Sequence, residues 1–175
     1  MENFDLMISS EEITGKVKEV AAQISADYKN EPIVVVGVLT GAFIFVADLV
    51  RELSVPVECI DFVQISSYKG DKSTGNFIFK KDISIDICGK NVLIVEDIVD
   101  TGRTLKKLRE LLMLRNPKSV KICTAFDKPS RRVNDLVPDY NCFTIPDEFV
   151  VGYGLDYDGA YRAFKDVRIV RTDDE

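Results

Sequence analysis

The chain has 175 residues, of which 46% are hydrophobic and 30% are charged, and this balance excludes a disordered segment and suits one globular domain with a sizeable core. Histidine is absent, which excludes catalytic triads and metal sites that need an imidazole, so carboxylate, lysine, tyrosine and thiolate remain as general bases. The formal net charge is -6 and the basic residues form no run, so a nucleic-acid surface is not expected.

From the amino end, the segment SSEEITGKVKEVAAQISADY places apolar side chains at helical spacing, with Ser9 or Ser10 able to cap the helix. The β-branched run PIVVVGVL predicts a buried strand, Thr40–Gly41 a turn, and FIFVADLVREL a second helix. Two further strands are predicted by ECIDFVQISSY and FIFKKDIS, joined by the polar stretch KGDKSTGN. We expect an extended hairpin with this polar loop at its tip, and few buried contacts to fix residues 66–75.

The run NVLIVEDIV predicts another buried strand, and TLKKLRELLMLR a helix that Pro117 ends. SVKICTAFDK and YNCFTIP predict strands, and FVVGYGLDY a strand leading into a loop. Strands and helices alternate without a repeat or linker, which is typical of one α/β domain over residues 1–175 with a doubly wound, mainly parallel sheet flanked by helices. Ligands bind such sheets at the carboxyl ends of the strands, where Thr40–Gly41, residues 96–104 and residues 127–128 fall.

The stretch VLIVEDIVDTGRTL places three carboxylates directly after a buried strand. Glu96 and Asp97 only accept hydrogen bonds, so they suit ribose hydroxyls or a hard cation, while Asp100 is placed to take a proton. The helix start that follows offers unpaired N–H groups and hydroxyls, which suit a phosphate monoester. An ordinary helix N-cap at Asp100 or Thr101 with solvated acids is the alternative. The chain contains neither a P-loop nor a Rossmann glycine fingerprint.

None of the cysteines lies in a Cys-x-x-Cys pattern, and we expect mostly buried free thiols in a reducing cytoplasm. The opening residues MENFDLMISS lack the basic start and apolar core of a signal peptide. The most apolar run is punctuated by Gly37, Gly41 and Asp48, which favours a strand-turn-helix over a membrane span. A cytoplasmic protein with no membrane partner is therefore expected.

The motif VLIVEDIVDTGRTL resembles the phosphoribosyl-pyrophosphate signature of type I phosphoribosyltransferases. Together with VGVLTGAFIFVADL, SSYKGDKSTG, DKP and IPDEFVVGYGLDYDGAYR, it resembles the hypoxanthine-guanine phosphoribosyltransferases in register over nearly the whole chain. The first motif is shared by many relatives, whereas the combination is specific. The resemblance implies the type I phosphoribosyltransferase fold, with a small hood formed mainly by the C-terminal part and a hairpin lid.

The resemblance also implies a role for each matching residue. Asp100 matches the acid/base at purine N7. Residues matched to phosphoribosyl binding are Glu96, Asp97, Thr101, Gly102, Arg103 and Thr104. Those matched to pyrophosphate binding are Leu39, Thr40, Gly41, Ser67, Tyr68 and Arg162, with threonine where some relatives carry lysine. Those matched to purine binding are Ile98, Lys128, Phe149, Val150 and Asp156. The implied cofactor is magnesium (Mg2+), with Glu96, Asp97 and Asp156 as ligands.

The implied reaction is purine salvage, in which the 5-phosphoribosyl group passes from phosphoribosyl pyrophosphate to N9 of hypoxanthine or guanine. The implied assembly is a homo-oligomer, and the sequence leaves open dimer or tetramer, the use of xanthine, and the preference between hypoxanthine and guanine. Relatives can adopt a cis peptide between Leu39 and Thr40, which the sequence also leaves open.

Each matched side chain has a simpler alternative. Lys128 could be a solvated loop lysine, Phe149 a core residue, Tyr68 a bystander, Asp156 a turn residue and Arg162 the partner of a surface acid. Two other protein classes share parts of this pattern. A signalling receiver domain also places acids at strand ends, but here the acids cluster in one loop before a phosphate-binding helix start. A non-catalytic phosphoribosyl-pyrophosphate-binding regulator on the same fold is the second, and the intact purine-side set speaks against it.

Overall fold

A computed structural model describes residues 3–67 and 77–171, with only the backbone of Ser66, Ser67 and Phe77. The strands are β1 (Asn3–Ile8), β2 (Ile33–Leu39), β3 (Val57–Ser67), β4 (Phe77–Lys81), β5 (Asn91–Val99), β6 (Ser119–Asp127), β7 (Tyr140–Thr144), β8 (Val150–Val151) and β9 (Val167–Arg171). The helices are α1 (Ser10–Tyr28), α2 (Phe43–Glu52), α3 (Arg103–Met113) and a 3-10 turn at Pro129–Arg131.

The main sheet has six strands in the order β4-β3-β2-β5-β6-β7. All neighbouring pairs are parallel except β3–β4, which is antiparallel. The predicted doubly wound, mainly parallel sheet is therefore confirmed. Because β2, β5 and β6 are adjacent and parallel, the segments that follow them meet at one edge of the sheet.

The main sheet is buried on both faces. Leu93 and Val95 of β5 belong to the hydrophobic cluster that α1 and α2 cover, whereas Val92 and Ile94 belong to the cluster that α3 covers. Successive side chains of a strand point to opposite faces, so a strand covered on both sides needs an unbroken apolar run. This explains why the apolar runs in the sequence predicted β2 and β5 correctly.

A smaller antiparallel sheet, which we call the hood sheet, has the order β1-β9-β8. The sequence predicted only β8 of these strands. β1 is a six-residue strand of mostly exposed and half-buried positions, and β9 has two arginines among its five residues, so neither shows the apolar run of a buried strand. The hood sheet thus joins the amino end of the chain to the C-terminal part.

Several local features follow from short sequence signals. Ser9 is the N-cap of α1, and a capping box forms because the backbone N–H of Glu12 donates to Ser9 while Glu12 accepts from the Ser9 N–H. The cysteines are all free, but only Cys123 and Cys142 are buried, so the expectation of mostly buried thiols is wrong for the exposed Cys88 and the half-buried Cys59. Over the two described ranges, no helix combines the length and apolar character of a membrane span.

The antiparallel edge strand β4 is held to β3 through a buried carboxylate. Asp61 accepts hydrogen bonds from Lys81 Nζ at 2.7 Å, from Ser84 N at 2.7 Å and Oγ at 3.0 Å, and from Phe62 N at 2.7 Å. Burial alone would raise the pKa of Asp61, but these donors outweigh it and hold the pKa well below its usual range. The ionised carboxylate therefore stabilises the folded chain.

Asp61→Asn should lower the free energy of unfolding by about 1.5–3 kcal/mol at pH 7, because it removes a charged acceptor that four donors share. A depressed folded pKa gives stability that is complete above the unfolded pKa, about 4, and is lost as the pH falls through the folded value. The difference in the free energy of unfolding between the variant and the wild type, measured with urea, should therefore shrink progressively as the pH falls below about 4.

The control for this prediction is Asp135→Asn, which breaks the ion pair of an 85% exposed carboxylate with Lys106. Exposed pairs contribute little, so its effect should stay within about 0.5 kcal/mol. Equal losses in the two variants would show that Asp61 does not anchor the edge strand.

Candidate functional site

The predicted site residues meet in two adjoining cavities at the carboxyl ends of β2, β5 and β6. One, of about 340 Å³, is called the loop cavity, and the other, of about 530 Å³, the hood cavity. Predicted residues lining the loop cavity are Leu39, Thr40, Gly41, Glu96, Asp97, Ile98, Asp100, Thr101, Gly102, Thr104, Asp156 and Arg162. Those lining the hood cavity are Asp97, Ile98, Asp100, Lys128, Phe149, Val150 and Asp156. The two cavities therefore share Asp97, Ile98, Asp100 and Asp156.

Of the three remaining predicted residues, only Arg103 is described with its side chain, and it lines neither cavity. Arg103 is the first residue of α3 and its side chain is exposed. Ser67 ends β3 and is described only by its backbone. Tyr68 and most of the predicted lid at 66–75 lie outside the described residues.

The N-cap residues of the two helices at the loop cavity provide no side-chain cap. Gly102 is the N-cap of α3 with φ 78°, and Ala42 is the N-cap of α2, and neither makes a side-chain capping hydrogen bond. Thr101 Oγ1 accepts from Arg103 N, the first N–H of α3, at 3.4 Å, so the simpler alternative of a capping residue holds in part for Thr101. Unpaired N–H groups and the positive end of the helix dipole are left at both starts, which favours an anion in this cavity.

Gly102 is required by both conformation and space. A positive φ of 78° suits glycine, and a Cβ there would lie 2.6 Å from Arg132 Cδ and 2.8 Å from Asn134 Oδ1. The turn after β5 thus lies directly against the loop that follows β6. The peptide bond between Leu39 and Thr40, on the opposite wall of the loop cavity, is cis.

Two adjacent carboxyl groups lie in the last part of β5, beyond its pairing with β2 but still within its pairing with β6. Glu96 is only 8% exposed and its Oε1 accepts from Asp97 N at 3.0 Å, while Asp97 Oδ1 accepts from Ile98 N at 2.7 Å. Burial raises the pKa of both groups, and the neighbouring Asp97 charge raises the pKa of Glu96 further. The charge of Arg162 opposes this rise at Asp97. Hydroxyl donors or a cation at this point would relieve the cost of burying the pair.

Asp156 and Arg162 form an ion pair in the wall of the loop cavity. Arg162 lies 2.9 Å from Asp156 Oδ1 and donates to Gly154 O at 2.7 Å, and Asp156 Oδ2 accepts from Gly159 N at 2.8 Å. Asp156 is therefore a turn residue and Arg162 is the partner of an acid, as the simpler alternatives state, but both side chains line the cavity. No group of three His, Cys, Asp or Glu side chains that could hold a metal is found among residues 3–67 and 77–171.

The hood cavity combines an exposed ring with a buried lysine. Phe149 is 52% exposed and meets Tyr157 edge-on at 5.4 Å, so it is not a core residue. Lys128 is only 9% exposed, and its Nζ donates to Glu148 O at 2.6 Å, so it is not a solvated loop lysine. An ammonium has three donors, so two remain for a ligand. A flat, partly apolar molecule with a hydrogen-bond acceptor suits these walls.

Sequence reasoning missed two arginines that contact Asp100. Arg131 lines the hood cavity, and its Nε lies 2.9 Å from Asp100 Oδ1. Arg132 is buried against Asp127 and donates to the Asp100 carbonyl oxygen at 3.1 Å. The only signal in the sequence was the Arg–Arg pair shortly after the DKP motif, and its contacts are more than 30 residues away along the chain.

The chain is similar to one family throughout these elements. The model for the phosphoribosyl transferase domain matches residues 9–158. A hypoxanthine phosphoribosyltransferase of Salmonella typhimurium is 51% identical over 161 residues, which is 90% of each chain. A hypoxanthine-guanine phosphoribosyltransferase of Streptococcus pneumoniae is 44% identical over 96% of this chain and 93% of its own. The crystal structure of a hypoxanthine-guanine phosphoribosyltransferase from Bacillus anthracis has TM-score 0.92 at 45% identity, covering 98% of this chain and 100% of that chain.

Gly41→Ala tests how tightly the site is packed. A Cβ at Gly41 would lie 1.6 Å from Asp97 Oδ2, and the other oxygen of that carboxylate is held by Ile98 N. We expect urea unfolding to show a loss of about 1–3 kcal/mol. Gly15→Ala, in the interior of α1 with nothing within 4 Å, should instead gain about 0.5–1 kcal/mol. If Gly41→Ala were as stable as the wild type, the close approach of Gly41 to Asp97 would be wrong.

Proposed function

Because the chain belongs to the phosphoribosyltransferase family, we propose that it catalyses purine salvage by transferring the 5-phosphoribosyl group of phosphoribosyl pyrophosphate to N9 of hypoxanthine or guanine. The products are IMP or GMP and pyrophosphate. One observation carries this proposal, namely that a cavity suited to anions adjoins a cavity suited to a flat base, and that the two share Asp97, Ile98, Asp100 and Asp156. A nucleotide spanning both would place its glycosidic bond at the shared wall.

The phosphoribosyl group is assigned to the loop cavity. Its 5′-phosphate is proposed to bind the start of α3, where Thr101, Gly102 and Thr104 offer hydroxyls and backbone N–H groups. The ribose hydroxyls donate to Glu96 and Asp97, which only accept when ionised. The hydroxyls would take the place of water as hydrogen-bond donors to two carboxyl groups whose pKa is raised by burial.

Pyrophosphate is assigned to the opposite wall of the loop cavity. Leu39, Thr40 and Gly41 lie between β2 and the uncapped start of α2, so backbone N–H groups and the helix dipole favour the leaving anion. Arg162 adds positive charge beside Gly41, through its contacts with Gly154 and Asp156. Ser67, Tyr68 and Arg103 stay proposed contacts, and closure of the hairpin at 66–75 is proposed to exclude water from the reacting carbon.

The proposed cofactor is magnesium, which supplies positive charge to the pyrophosphate oxygens when bound. Glu96, Asp97 and Asp156 are the carboxylates proposed to hold it. The residues fit the ion because Glu96 and Asp97 are adjacent carboxyl groups whose pKa is raised by burial, and a bound cation would relieve the cost of burying them. Magnesium is commonly bound by one or two carboxylates together with substrate oxygens and waters, so a protein cage of three carboxylates is not required.

The base is assigned to the hood cavity. Phe149 stacks on the ring, the backbone of Val150 reads its edge, and Lys128 donates to the oxygen at position 6. Asp100, in the shared wall, handles the proton at N7. A positioned carboxylate of this kind contributes about 10²–10⁴-fold to rate.

The remaining assignments are coarser. The named relatives are transferases, so the non-catalytic regulator is not favoured and we propose no second function. A homo-oligomer, dimer or tetramer, and a cytoplasmic location are proposed, and the free cysteines fit a reducing compartment.

Base choice tests the proposed role of Lys128. Hypoxanthine and guanine should both be used, whereas adenine should react about 10⁴-fold more slowly, because its 6-amino group donates and leaves a buried ammonium without an acceptor. Lys128→Gln should weaken the 6-oxopurines and relax the bar on adenine, since an amide both donates and accepts. A spectrophotometric assay with hypoxanthine, guanine, xanthine and adenine measures this.

The matched control is Lys118→Gln, an exposed lysine at the other end of β6 that pairs with Glu31. It should leave the order of preference among the bases unchanged. Efficient use of adenine by the unmodified protein would overturn the assigned base class.

A further inference from the structure

The loop after β6 lies along the turn that carries Asp100. Residues 131–134, which we call the brace, make successive contacts with it. Arg131 Nε lies 2.9 Å from Asp100 Oδ1, Arg132 Nε donates to Asp100 O at 3.1 Å, and Val133 N donates to Thr101 O at 3.2 Å. The side chains of Arg132 and Asn134 fill the space beside Gly102. The brace therefore fixes the turn from Asp100 to Gly102 from the base side of the site.

The consecutive residues Arg131 and Arg132 contact different parts of Asp100. The side chain of Arg132 is only 10% exposed; it pairs with Asp127 and donates to the carbonyl oxygens of Asp100 and Leu136. It holds the main chain. Arg131 is half exposed and contacts the carboxylate of Asp100 itself. The first contact is structural, whereas the second acts on the group that carries the proton in the proposed reaction.

Arg131 is itself held in place from two directions. Its backbone N–H donates to Lys128 O at 3.0 Å within the 3-10 turn, and NH1 lies 3.6 Å from Asp147 Oδ2 on the far side of the hood cavity. Its hydrogen bond with Asp100 and the charges of Asp100 and Asp147 raise the pKa of Arg131, so the guanidinium is always charged. The chain Asp147–Arg131–Asp100 therefore crosses one wall of the hood cavity.

The geometry leaves one oxygen of Asp100 free. Arg131 binds only Oδ1, and Oδ2 has no hydrogen-bond partner among the residues that the structure describes. We propose that Arg131 is a positioning residue for Asp100, holding Oδ1 so that Oδ2 faces the hood cavity and accepts the hydrogen bond of purine N7–H. This inference rests on the proposed function. Arg131 acts through Asp100, and Asp147 acts through Arg131.

The role predicts a loss of turnover without a loss of stability. Because about half of each side chain is exposed, the ion pair contributes little to folding. Arg131→Met should therefore leave the urea midpoint unchanged and the KM for phosphoribosyl pyrophosphate within about 2-fold, but should lower kcat with hypoxanthine by about 5- to 50-fold, part of the about 10²–10⁴-fold scale of acid–base catalysis. Arg131→Lys, which keeps the charge, should recover most of this loss.

A double-mutant cycle separates positioning from a general effect. In an Asp100→Asn background, Arg131→Met should change kcat by less than about 2-fold, because the carboxylate that Arg131 orients is gone. Radiolabelled hypoxanthine makes this measurable even after a large loss of rate. Arg51→Met, which breaks the exposed pair of Arg51 with Asp48 on α2, is the matched control and should have no effect on kcat.

The outcomes are distinguishable. A wild type that transfers phosphoribosyl to neither hypoxanthine nor guanine removes the proposed function. An active wild type with Arg131→Met at wild-type kcat overturns this inference alone, as does an equal 5- to 50-fold loss in the Asp100→Asn background, which would show that Arg131 acts independently of Asp100. A fall in the urea midpoint that accounts for the lost activity would make Arg131 a structural residue.

Discussion

Two adjacent carboxyl groups in the last part of the central strand β5, the buried Glu96 and the half-buried Asp97, constrain the residues around them, because carboxylates that lose water need other partners. Burial raises the pKa of both carboxyl groups, which means that an unpaired negative charge is unfavourable at either position. Part of this cost is offset by the backbone N–H groups of Asp97 and Ile98, which donate to the two carboxylates, and by the positive charge of Arg162. What remains is an acceptor surface, and hydroxyl donors or a cation bound there would offset the cost of burying these carboxylates.

The same constraint sets how closely the other elements approach. Only a glycine fits beside Asp97, because a Cβ at Gly41 would overlap its carboxylate, and a Cβ at Gly154 would lie 2.0 Å from the carbonyl oxygen of Gly41. The turn after β2, the carboxyl pair and the loop between β8 and β9 are therefore in close contact. Asp97 and Asp156 belong to both cavities, so the proposed reaction centre is the place where these layers meet.

Much of this could be predicted from local sequence. The runs of β2 and β5 are apolar because both faces are covered, and the acids and glycine from Glu96 to Gly102 mark the carboxyl end of β5, where sheets of this kind bind ligands. The resemblance placed most site residues at these ends. The strands β1 and β9 escaped prediction because they are short edge or hood strands with charged side chains, stabilised by pairing between the two ends of the chain.

The contacts within the site were harder to foresee, because they join residues distant in sequence. Nothing local marks Arg131 or Arg132 as partners of Asp100, since the brace meets that turn only after β6 has crossed the sheet. Likewise, the ion pair of Asp156 with Arg162 depends on the path of the loop between β8 and β9. Spacing fixes which strand end a residue occupies, whereas the partner of its side chain depends on packing.

The central claim is that one nucleotide spans both cavities across the shared wall. A crystal structure of the protein with IMP tests it most directly. The account predicts the 5′-phosphate at the start of α3 on residues 101–104, the ribose hydroxyls on Glu96 and Asp97, and the base on Phe149 with its 6-oxygen within hydrogen-bond distance of Lys128 Nζ. A phosphate bound away from the start of α3, or a base outside the hood cavity, would contradict it.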